Sequence, residues 1–171
     1  MIQRILVLGL LVLTAAVLQT ALFPALTLIG FRPDLLLLLP LAVGVRDGSP
    51  SGARVGAVCG LLSDLLISQS PLGLGMLVLA AVGYAVGVAR PYLAPGSFTA
   101  PLLLAFVTGA LGTAGVGALG SLLGDDAVTS TLLLQASLSV ALYNTLLAPV
   151  VLGIVGRLLE RFPLRGTSGL D

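Results

Sequence analysis

Six apolar stretches, separated by short polar or Pro/Gly-rich punctuation, divide the chain. The first, residues 5–23, is an uncharged run of 19 residues behind Arg4, close to the about 20 that a membrane-spanning helix needs. A signal peptide has a shorter apolar core, about 7–15 residues, ahead of a small-residue cleavage site. No such site follows here, so the run reads as an uncleaved first span. Pro24 to Phe31 reads as a loop. The second segment, 33–46, opens on Pro33 and Asp34, which suit the first turn and the positive end of a helix. Its uncharged part, Leu35 to Val45, has only 11 residues, too few for the hydrocarbon at about 1.5 Å per residue. It spans if Pro33, Asp34 and a snorkelling Arg46 extend it and neighbouring helices shield it. A re-entrant segment is the competing reading. Pro40 removes the hydrogen bond to the Leu36 carbonyl and bends the segment.

Arg46 to Ser51, RDGSPS, reads as a polar turn, and a third span follows over 52–69. Ser70-Pro71 breaks it, and Pro71 starts a fourth span, 71–89. Arg90 to Thr99 is a loop, 100–123 a glycine-rich fifth span, and Gly124-Asp125-Asp126 a turn. The sixth span, 130–156, carries Gln135, Asn144 and Pro149, and Arg157 to Phe162 continues it at the interface. The reading is one membrane domain, 1–162, with a disordered cytoplasmic tail at 163–171.

Within the third segment Gly48, Gly52, Gly56 and Gly60 recur every four residues, and Asp64 and Ser68 continue the step. Residues four apart lie nearly above one another on a helix. From Gly52 onward the sequence therefore predicts a groove of bare backbone leading to one carboxylate. Inside a membrane, small residues let helix backbones approach closely. A lipid-facing acid is costly, so Asp64 should face protein.

Composition agrees. Hydrophobic residues make up 57% of the 171, charged residues 9%, and mean hydropathy is +1.15, against about 25% charged in a soluble domain. The formal net charge of +1 gives no basic face for nucleic acid. The chain has no His, Lys or Trp. That excludes Ser-His and Ser-Lys nucleophile pairs, histidine metal sites and a lysine Schiff base. Asp64 is the one acid deep in an apolar segment, so an aspartyl pair is excluded too. Cys59 is single and reads as a small apolar residue. No enzyme and no cofactor are expected.

The arginines set an orientation. Six spans with an inside N-terminus collect Arg4, Arg46, Arg54, Arg90, Arg157, Arg161 and Arg165 on the inner side and leave only Arg32 outside. Both termini are then cytoplasmic. Asp64 falls toward the outer face and reads first as an internal hydrogen-bonded acid that fixes packing; a proton or ligand site, or a polar latch to a partner, is the alternative, and Arg32 is its expected charged partner. Asn144 is the candidate for an interhelical hydrogen bond, and Gln135, half a turn out of phase, for capping the outer end. Tyr84 reads as an aromatic anchor at the inner boundary.

These marks occur together in a known order. Phe31-Arg32-Pro33-Asp34 precedes a leucine-rich span; Gly52, Gly56 and Gly60 lead to Leu62-Ser63-Asp64-Leu65; then come Pro71-Leu72-Gly73, Gly83-Tyr84, and Asn144 with Pro149. In this the chain resembles the rod shape-determining MreD family of bacteria. The resemblance implies a non-enzymatic scaffold of the cell-elongation complex in the cytoplasmic membrane. Its implied partners are MreC, the MreB filament, and RodA with its transpeptidase, acting in side-wall peptidoglycan synthesis. The expected contacts are glycine-lined faces and the Asp64–Arg32 end for the MreC membrane segment, and arginine loops for cytoplasmic components. The expected fold is an all-α six-helix bundle resembling the S-components of energy-coupling-factor vitamin transporters. That likeness supplies the alternative, a small-molecule-binding transporter subunit, against which the sequence offers few polar groups to line a cavity.

Overall fold

A computed structural model describes residues 2–21, 32–66, 73–93, 99–123 and 130–162. Six α-helices form where the six apolar stretches lie: α1 (Ile2–Ala21), α2 (Leu35–Asp47), α3 (Ser49–Leu66), α4 (Leu74–Ala89), α5 (Thr99–Leu122) and α6 (Ser130–Arg161). A 3-10 turn at Arg90–Tyr92 follows α4. Gly124 to Asp126, Ser68, Arg165 and the predicted tail lie outside the described residues.

Four of these helices are long and apolar enough to cross a bilayer: Gln3–Ala21, Leu74–Tyr92 (with its 3-10 turn), Thr99–Leu122 and Ser130–Arg161. The chain is an all-helical membrane protein. The other two do not qualify on that measure. α2 has 13 residues, and α3 carries Arg54, Asp64 and several small residues.

α2 is short because both its ends are fixed. Asp34 is its N-cap and accepts the Leu37 N–H. Gly48, at φ +86°, ends it and returns its N–H to the Gly44 carbonyl, a left-handed geometry natural to glycine. The helix runs unbroken through Pro40. The expected polar turn at 46–51 shrinks to Gly48 alone, because Ser49 and Pro50 already form the first turn of α3. α4 starts at Leu74, after Gly73 in the left-handed region; Pro71, the expected start, lies outside the described residues. α6 continues beyond the predicted span to Arg161, along the stretch read as its interfacial continuation.

Every residue from Leu35 to Gly44 is buried, and all five other helices pack against α2. A segment too short to span alone is thus wrapped in protein. α3 and α4 form the closest helix pair, and α5 and α6 the next. α2 runs parallel to the second half of α6: Asp34 lies beside Asn144, and Arg46 beside Gly156 and Glu160. The first half of α6 continues beyond the start of α2 by roughly 20 Å at the α-helical rise. Space is left above the N-terminus of the central helix.

Candidate functional site

Asp64 lies in the last turn of α3 and is 5% exposed. Its Oδ1 accepts the Gly75 N–H at 2.9 Å. Its Oδ2 accepts the Gly73 N–H at 2.9 Å and the Met76 N–H at 3.2 Å. The first N–H groups of a helix have no partner within it. Gly73 has no side chain to supply one, so the neighbouring helix caps α4 with a carboxylate, which also suits the positive end of the helix dipole.

The glycine series makes this reach possible. A methyl on Gly52 would collide with the Gly83 carbonyl, one on Gly56 with the Leu79 carbonyl, and one on Gly60 with the Gly75 carbonyl. Two antiparallel backbones therefore meet every four residues along α3 and α4. The groove is filled from within the chain and is closed to a helix from outside.

The expected Arg32–Asp64 pair does not form. Among the described residues the ion pairs are Arg4–Asp47 and Arg46–Glu160. Three backbone N–H groups take up the Asp64 carboxylate, and Arg32 stays exposed at the N-terminus of α2.

Three helices join at that N-terminus. Asn144, 0% exposed on α6, accepts the Asp34 N–H through Oδ1 at 3.0 Å. Gln19 of α1 accepts the Leu36 N–H through Oε1 at 3.1 Å and also bonds the Asp34 carboxylate. The Asn144 Nδ2 is buried without a partner among the described residues. Gln135 is exposed near the start of α6, and Tyr84 is exposed on α4. Gln19 was not singled out by the sequence reading; its only signal is an amide within an apolar run.

At the opposite end, Arg4 pairs with Asp47 and donates to the Phe162 carbonyl at 2.7 Å, drawing α1, α2 and the end of α6 together. Both partners of this ion pair are nearly buried, whereas Arg46–Glu160 is open to solvent. A side chain on Gly48 would come within 3.9 Å of Arg90, so Arg90 belongs to this end as well.

Above the N-terminus of α2 lies a cavity of about 630 Å³. Arg32, Asp34, Ser63, Asp64 and Thr113 are on its wall, with leucines and valines supplying much of the rest. More polar groups face it than the sequence led one to expect, because these come from three separate parts of the chain: the start of α2, the end of α3 and the interior of α5. No cluster of metal-ligating side chains occurs among the described residues, and Cys59 is buried.

The model of one family, rod shape-determining protein MreD, matches residues 1–157. The chain belongs to the MreD family. Membership implies a role in rod-shape determination and places the chain among shape-determining structural proteins rather than in a known enzyme family. No curated protein and no solved structure matches the chain, so the likeness of MreD to the S-component fold rests on the sequence resemblance alone. In this MreD chain, Gly52, Gly56, Gly60, Asp64 and Asn144 all hold helix to helix. Arg32 is the site candidate that does not.

Proposed function

We propose that this chain is a non-enzymatic membrane scaffold of the bacterial cell-elongation complex, and that it holds MreC in the cytoplasmic membrane. The observation that carries the reading is the use of its polar groups. Asp64, Asn144, Gln19 and Arg4 each fasten one helix to another, and this arrangement favours a rigid body over a reaction centre. All six helices span in this reading, α2 and α3 doing so under the cover of their neighbours. Arg4, Arg46 and Arg90 share one end of the bundle with the last turn of α6. The positive-inside rule makes that end cytoplasmic, with both termini, and it is the end offered to MreB and to RodA with its transpeptidase. The MreC segment meets an outward face of the bundle, since the α3 groove is filled by α4.

A second reading, a small-molecule-binding subunit like the S-components of energy-coupling-factor transporters, is favoured by the cavity. Purification of the tagged chain in mild detergent separates the two. Stoichiometric co-elution of MreC supports the scaffold. An energy-coupling ATPase module without MreC supports the transporter subunit and ends the first reading.

A further inference from the structure

The cavity above α2 carries one charge, on Arg32, that no described residue answers. The two carboxylates on its wall are both engaged at helix N-termini. Asp64 accepts the Gly73, Gly75 and Met76 N–H groups, and Asp34 is bonded by Leu37 and Gln19. Such engagement with the positive ends of α4 and α2 offsets their charge locally. Arg32, on the same wall, is exposed and makes no ion pair or hydrogen bond among the described residues. Below it the wall turns apolar at Leu37, Leu79, Val116 and Val140. The volume of about 630 Å³ falls within the roughly 300–1,000 Å³ of small-molecule sites, which combine an apolar lining with a few placed polar groups.

We infer that this cavity binds a molecule with an apolar body and a single anionic head. The head pairs with the Arg32 guanidinium at the mouth, and the body lies against Leu37, Leu79 and Val140. A guanidinium binds carboxylate and phosphate oxygens through paired N–H donors. A neutral amphiphile of the same shape would forgo that pairing. An acyl chain from the bilayer and a soluble organic acid share this chemistry. The inference deepens the small-molecule reading of the cavity by naming the ligand class, and it is independent of MreC binding.

The test uses the full chain in uncharged phosphatidylcholine nanodiscs, with radiolabelled decanoate and decanol as probes. Decanoate should bind saturably and be displaced by unlabelled decanoate. Decanol should bind about tenfold more weakly, the worth of one charge-assisted hydrogen bond. Arg32→Gln should weaken decanoate about tenfold and leave decanol unchanged. Thr113→Phe and Ala136→Phe, from two different helices, should fill the cavity and remove binding of both probes; either variant serves if it retains the parent melting temperature. Equal affinity for acid and alcohol, an Arg32→Gln chain that binds decanoate as before, or a folded filled-cavity variant that still binds would overturn the inference. Mass spectrometry of molecules extracted from the unsupplemented protein gives the source: an acyl lipid for the bilayer, a soluble acid for the aqueous phase. Neither in the extract, together with no decanoate binding, overturns it. Retention of MreC by Arg32→Gln, measured on the same preparation, keeps the scaffold reading separate from this result.

Discussion

Asp64 occupies the place that a side chain on Gly75 would take. A methyl built on Gly75 would lie 3.1 Å from the Asp64 Cγ, while the Gly75 N–H donates to the Asp64 Oδ1 at 2.9 Å. The acid of one helix is seated in the missing side chain of the next. Asp64→Ala would leave three N–H groups at the start of α4 without their acceptor and should lower stability by about 1–3 kcal/mol. Asp64→Asn keeps one acceptor oxygen and should lose less. Melting of the detergent-solubilised protein, followed by far-UV circular dichroism, reads both.

Arg32 has no part in holding Asp64, so their substitutions should be independent. Arg32→Ala should leave the melting temperature where it was. Combining Arg32→Asp with Asp64→Arg should reproduce the defect of Asp64→Arg alone, since uncoupled sites add. Recovery of stability in the exchanged pair would show that the two charges do meet.

The groove between α3 and α4 has no slack. Gly56→Ala drives a methyl into the Leu79 carbonyl and to 2.9 Å from the Ala80 Cα. The loss should be about 3 kcal/mol, at the upper end for overpacking because backbone rather than a flexible side chain must yield. Gly9 and Gly153 have nothing within 4 Å of the same position, so Gly9→Ala and Gly153→Ala should fold as the parent does. Expression level and melting temperature compared across the three variants check this.

The two ion pairs at the Arg4 end should differ sharply. Arg4 and Asp47 are nearly buried, and removing one partner strands the other, at a cost of about 3–5 kcal/mol. Arg4→Met with Asp47→Leu should restore much of that loss, since apolar pairs replace buried ion pairs well. Arg46–Glu160 lies in solvent, and Glu160→Ala should change stability by at most about 1 kcal/mol. A double-substitution cycle on each pair gives the coupling directly.

Much of the helical layout was legible in the sequence. Apolar runs and Pro/Gly breaks located all six helices, and the four-residue glycine step named the face of α3 that meets another helix. What escaped was the identity of partners. Asp64 read as an internal packing acid, but Arg32 was its expected partner because sequence displays charges and hides backbone N–H groups. Its actual donors belong to Gly73, Gly75 and Met76, which carry no polar side chain. Gln19 was not singled out because the groups it bonds, at Asp34 and Leu36, belong to the start of another helix. RDGSPS read as a turn because polar residues with Gly and Pro mark turns; here one positive φ at Gly48 does all the turning. The cavity had no signature, since its walls come from every helix of the bundle.

The early stop of α2 has a geometric consequence. The other five helices pack around α2, and its start is the floor of the cavity. One more turn at the start of α2 would raise that floor by about 5.4 Å, while one turn fewer would deepen the cavity equally. Length in a single buried segment thus tunes the depth of the cavity, leaving the surface seen by lipid and by neighbouring proteins as it was.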